Sequence, residues 1–367
     1  MHLSNLASVA APLLGFAAAA PPVPRSYGVP NDGFPNPNAQ QLLAIETQAD
    51  GTLSNAPPPP TLASSSLTAF QLIAFNENFE VAFFSSLVNN ITTGVGNFNL
   101  PTPENQNELI SILKTVLAQE ELHAISALQL LTHFGAFAPP PCTYNFPTTD
   151  VVSAIRLAET FTAVVMGTLQ DASQLLAKNG DDGPVRTVAS IIGQEGEQNG
   201  FYRTLLGFKP SEKPFLTTSI AAYAFSVLQT FVAECPFPIS DIAIPVFTPL
   251  SVLSGNGGTD VAPQDQTLTF SANLAGVEAA AKFVGGDGSG LFVTYLSGQL
   301  LPISEPVTNV RWDGSSVTFD ALFPFTENIM YALTIASLTT SDTVVDPDDL
   351  PGVTLAAPGL IQVNDRV

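Results

Sequence analysis

Four successive stretches of this chain read as amphipathic helices, and each carries an acid in the middle of its apolar stripe: Glu77, Glu120, Glu159 and Glu195. A carboxylate withdrawn from water is costly unless a cation or hydrogen-bond donors meet it. Four of them on four consecutive helices point to one shared partner, which a bundle of those helices would hold at its centre. A pair of metal ions is the natural candidate.

The first helix is expected from about Ser66 to Val88, where Phe70, Ile73, Ala74, Glu77, Val81, Phe84 and Val88 recur at the helical period. Glu77 is centred on that stripe, and Glu80 lies one step to its flank. The second is expected over Glu104 to Phe134 through Leu109, Leu113, Val116, Glu120, His123 and Ala127, ended by Gly135 and the prolines 139–141. Thr149 or Asp150 is a suitable N-cap for a third helix reaching Lys178, with Ile155, Glu159, Thr162 and Met166 on its stripe. Pro184 opens a fourth through Val188, Ile192, Glu195, Gln198 and Tyr202, and a shorter fifth spans about Phe215 to Ala233.

The spacing within the acids is as informative as their number. Glu120 and His123 are three apart, so carboxylate and imidazole share one helical face; the carboxylate can bridge two ions while the imidazole binds one. In a two-metal carboxylate bundle, a terminal Glu, a Glu-x-x-His, a second terminal Glu and a second Glu-x-x-His follow in helix order. This chain offers Glu77 or Glu80, then Glu120 with His123, then Glu159, then Glu195 with Gln198. Gln198 stands where the second histidine should be. Its carbonyl oxygen is a harder and weaker ligand than imidazole, which weakens the second ion, favours manganese, or leaves a site for one ion or none. His133, near a helix C-terminus, reads as structural. Tyr202, one turn beyond Gln198, reads as a buried tyrosine able to hydrogen-bond a ligand carboxylate.

The segment Phe75 to Phe84, FNENFEVAFF, resembles the first-helix signature of a secreted branch of the ferritin-like superfamily found in fungi and in desiccation-associated proteins. NPNAQQLLAIETQADG, residues 36–51, and the AQEELHAISAL stretch of the second helix resemble fungal starvation-stress and late-sexual-development proteins. The likeness spans about Asn36 to Phe237. It implies a ferritin-like bundle and a link to fungal stress or fruiting; it implies no demonstrated reaction.

The expected fold class is therefore α+β multidomain, a ferritin-like four-helix bundle with a fifth helix and then a small β-sandwich. From Cys235 onward Pro, Gly, Ser, Thr and Val dominate. Short β-branched runs at residues 266–272, 291–295, 307–312, 316–319, 331–337 and 353–356, separated by turn signals, read as strands. The expected divisions are 1–20, a signal peptide; 21–65, a Pro- and Asn-rich segment with a short helix near 39–48; 66–234, the bundle; 235–258, a linker; and 259–367, the β-rich part.

With 11 basic against 32 acidic residues, the formal charge of -21 argues against nucleic acid and anionic membranes as partners. The apolar run 7–16, small residues 17–20 and Pro21-Pro22 suit a secretory signal. No other run reads as a membrane span. In an oxidising compartment Cys142 and Cys235 form one disulfide or stay as two buried thiols. Asn90-Ile91-Thr92 is a glycosylation sequon placed where the first helix should end.

Two functions remain in view. One is metal-dependent redox or metal sequestration with iron or manganese, Glu120 and Glu195 bridging, Glu77 and Glu159 capping, and oxygen or peroxide as co-substrate. The other is a non-catalytic cell-wall or spore-surface protein that keeps the bundle as a scaffold. Serine-histidine triads, phosphate loops and zinc clusters have no residues to support them.

Overall fold

The computed structural model of the protein describes residues 26–366. The signal peptide read at Met1 to Ala20 lies outside the described residues.

Helix α1, Ala39–Gln48, starts at Asn38, whose side chain accepts from Gln40 N and Gln41 N while the Gln41 side chain returns to the cap. A proline-rich segment leads from it to α2, Ser64–Thr93, with Pro59 packed against Gly183. Every residue from Ala69 to Phe84 is buried, so α2 is a central helix covered on all sides, where the sequence suggests a single stripe. Its other faces are covered by α3, Pro103–His133, α4, Val151–Asn179, and α6, Ala221–Gln229. The antiparallel partner of α4 is α5, Val185–Leu205.

Local chemistry sets these ends. Thr102 caps α3 ahead of Pro103, Asp150 and Ser153 form a capping box on α4, and Gly180 ends α4 at φ 74°. The fifth helix, α6, is shorter than the expected Phe215 to Ala233. Thr217 bonds Leu333 O with its hydroxyl, and Val232–Glu234 (β2) pairs with Thr143–Tyr144 (β1), which removes both flanks from the helix. The Cys142–Cys235 disulfide closes the chain beside that pairing.

The β-rich part is two four-stranded antiparallel sheets. One, in the order β10-β9-β5-β6, contains Thr354–Val363, Ala332–Thr339, Phe292–Ser297 and Ile303–Pro306; the other, in the order β3-β4-β8-β7, contains Ser251–Val252, Gln266–Asn273, Ser316–Phe323 and Thr308–Asp313. In the second sheet Leu268, Phe270 and Ala272 alternate with more exposed residues and meet Val317, Phe319, Ala321 and Phe323, with Phe270 directly opposite Phe319. The first sheet is different: β9 is buried along its whole length, because its second face packs on the bundle. There Ala163, Val164, Tyr223 and Ala224 share a core with Leu296, Leu333, Ile335 and Ala357. The Tyr223 hydroxyl bonds Thr354 Oγ1 at 2.6 Å.

Several expectations need correction. Residues 235–258 are integrated into the fold: Ile242 joins the bundle core, and Leu250 and Val252 join the sandwich core. Asn90 lies inside the last turn of α2 at 4% exposure, so the sequon presents a buried amide that no glycan can reach in the folded chain. Helix α4 is long and apolar enough to cross a membrane by composition, yet its apolar residues pack against α2, α5 and α6.

Candidate metal centre

Helix α2 is the axis of the site. Glu77 and Glu80 lie in its fully buried stretch, and both carboxylates have no exposure. Helices α3 and α5 cross it and add Glu120, His123 and Glu195, so that single ligand atoms of Glu77, Glu120, His123 and Glu195 all fall within 4.8 Å of one another. His123 turns Nδ1 inward, 2.9 Å from Glu120 Oε2 and 3.7 Å from Glu77 Oε2; the second distance is beyond hydrogen bonding. Glu80 lies alongside, its Oε1 accepting from Asn76 Nδ2 at 2.9 Å.

Both oxygens of Glu77, both of Glu195 and Oε2 of Glu80 are buried and have no hydrogen-bond partner among the described residues. Native cores rarely leave such atoms alone. Burial, opposed by His123, lifts the Glu77 carboxyl to about 7; burial, then neighbouring acids, holds Glu80 and Glu195 well above the usual carboxylate range. Burial alone would lower the His123 imidazole, but Glu120, with Glu77 behind it, lifts it to about 10. Deprotonated to bind an ion, three carboxylates and one neutral imidazole would present an excess of negative charge that a divalent cation would match. Oxygen donors with one imidazole suit iron or manganese.

Two expected ligands are placed differently. Glu159 is not at the centre: its Oε1 accepts from Arg203 Nη1 at 2.7 Å, and Arg203 also donates to Asn364 Oδ1 and Lys209 O. The offset follows from the pairing of α4 with α5. Met166 lies against Gly196, beside Glu195, and Glu159 faces Arg203. Seven residues on each helix separate these two levels, about 10 Å along the axis. At the level of the centre α4 presents Thr162 and Met166, both buried and neither acidic. Burial, reinforced by Glu212 and opposed by Arg203, lifts the Glu159 carboxyl to about 7.

Gln198 does reach the centre, but its amide nitrogen faces inward and donates to Glu120 Oε1 at 2.6 Å. In this orientation it positions a ligand instead of being one. Its oxygen turns towards Tyr202, whose fully buried hydroxyl lies 3.4 Å away. Burial, then Glu120, Glu80 and Glu195, holds that phenol well above its ordinary range.

Sequence reasoning missed Asn76, Gln119 and Arg203. Asn76 was legible as a polar residue one turn from Glu80 in an apolar run. Gln119, whose oxygen accepts from Gln194 Nε2 at 2.8 Å and whose nitrogen reaches Ala49 O, carries no distinguishing pattern. A small apolar cavity lined by Leu72, Ile73, Val165, Leu169 and Ala224 adjoins Glu77.

Residues 67–208 match the family model described as a ferritin-like domain. That span runs from the first turn of α2 to just beyond α5 and includes every residue placed at the centre. The four long helices have the ferritin-like fold that the order of acids implies. No curated protein matches the chain.

Proposed function

We propose that the bundle is a metal-binding scaffold whose centre holds one iron or manganese ion through Glu77, Glu120, His123 and Glu195, with Glu80 as a neighbouring acid. The unpartnered oxygens of Glu77, Glu195 and Glu80 Oε2 carry this reading: buried carboxyl oxygens with no donor among the described residues are costly, and an ion would remove that cost. A bound ion of this class supplies Lewis acidity and one-electron redox chemistry.

The chain's own residues fix how that ion is held. Gln198 pins Glu120, and Asn76 pins Glu80. Oxygen or peroxide is the co-substrate this reading expects, and the cavity beside Glu77, lined also by Asn76 and Thr168, has room for only about one water-sized molecule. With Glu159 paired to Arg203 and Gln198 turned to Glu120, a second ion lacks two of its expected ligands, which favours one ion over two.

The wider setting is part of the same proposal. The Cys142–Cys235 disulfide supports a secreted, extracellular or cell-wall location. A role in fungal stress or sexual development rests on the resemblance of residues 36–51, 75–84 and the second helix. Metal analysis of protein purified without chelator tests the core of the reading. About one ion per chain, lost in Glu120→Ala, is expected; substoichiometric iron and manganese in both proteins would leave the scaffold role of the bundle as the better account.

A further inference from the structure

We propose that the cleft between α1 and α3, on the opposite face of α3 from the carboxylate centre, binds a small organic cation bearing a primary ammonium on an aliphatic stem. This site stands apart from the metal reading and does not depend on it.

The cleft is lined by Gln40, Gln41 and Ile45 on one side, Leu117 and Glu121 on the other, and Asp32 at one end. Its volume of about 380 Å³ is at the lower end of small-molecule sites and far larger than a bare ion needs. Glu121 is the anomalous residue. It is 2% exposed, it belongs to this cleft, and its Oε1 has no hydrogen-bond partner among the described residues. It directly follows Glu120 but points to α1, so the metal centre cannot satisfy it.

Asp32 is exposed and adjacent to Glu121, and its Oδ1 accepts from Phe34 N at 3.1 Å, which fixes its carboxyl at the mouth. An ammonium brings three donors for the carboxyls of Glu121 and Asp32 and for a glutamine carbonyl along the cleft. Ile45 and Leu117 form apolar walls along which an alkyl stem can lie. Lys114 is the one cationic lining residue. It is exposed and lies two turns from Glu121, about 10 Å along α3, where solvent screens it.

Titration calorimetry of the full chain with 1,5-diaminopentane, in buffer free of divalent cations, tests the assignment. Saturable binding of one molecule per chain is expected, weakened about tenfold or more in Asp32→Asn and in Glu121→Gln. Asp32→Asn alters an exposed side chain, so the test does not depend on the buried variant folding. The proposal is overturned by absent saturable heat, or by unchanged affinity in Asp32→Asn. It is equally overturned if magnesium displaces the diamine at equal or lower concentration, which would make the site one for inorganic cations.

Discussion

Gln198 donates its amide hydrogen to Glu120 Oε1 at 2.6 Å, joining α5 to α3 at the carboxylate that sits three residues before His123. In Gln198→Ala that buried oxygen loses its donor, which costs about 1–3 kcal/mol. For a folding unit of this size, roughly 2–4 °C of melting temperature accompany each kcal/mol. Calorimetry of the chelated variant should therefore show a melt lowered by several degrees. An unchanged melt would mean that the contact does not hold Glu120 in place.

Glu195 has two buried oxygens with no partner among the described residues. Its replacement by Gln removes a charge that burial and Glu80 disfavour. Chelated Glu195→Gln should melt at or above the wild-type temperature at neutral pH. Added manganese should stabilise the wild type by about 2.7 kcal/mol at a hundredfold excess over the dissociation constant, and the variant far less. Equal responses of both proteins to manganese would remove Glu195 from the ligand set. This is the trade of stability for function expected of a binding site.

The ion pair Glu159–Arg203 separates structure from ligation. Arg203→Ala leaves a buried carboxylate alone and should cost about 3–5 kcal/mol in chemical denaturation. Glu159→Gln should leave metal stoichiometry unchanged, since the carboxylate bonds Arg203 and not the centre. A fall in bound metal on that substitution would restore Glu159 to the ligand set.

The contrast between Glu120 and Glu159 shows how far the sequence was readable. Helical periodicity is a local property, and it placed Glu77, Glu120, His123 and Glu195 on inward faces, where the structure brings them together. It placed Glu159 on an inward face too, which is also true, for the residue is 1% exposed. What periodicity cannot report is height along a neighbouring helix. That offset depends on how α4 slides on α5, which sets Met166 level with Gly196 and Glu159 level with Arg203. The same limit hid the short strands: Ser251–Val252 and Ile303–Pro306 are too brief to alternate and form because longer strands offer edges to them. Asn90 failed for a related reason, because the sequon is a local pattern and its burial is tertiary.

The pH dependence of the metal-free protein follows from buried carboxyls away from the centre. Burial lifts Asp171 to about 6 and Glu159 to about 7, against roughly 4 in an unfolded chain. A folded pKa above the unfolded one means that the folded state holds the extra proton between those values. The stability this confers is complete below about 4 and is lost as pH rises towards 7. Glu77, lifted to about 7, acts in the same direction. Urea midpoints of the chelated protein should be higher at pH 5 than at pH 7.5. Asp171→Asn should shallow the slope, because the amide keeps an oxygen for Ala221 N without the titration. Metal opposes this trend, since ligation needs deprotonated carboxylates, so the gain from added manganese should grow between pH 5 and pH 7.5. A chelated midpoint that is flat or rises with pH would show that these carboxyls are ionised at little cost in the folded chain.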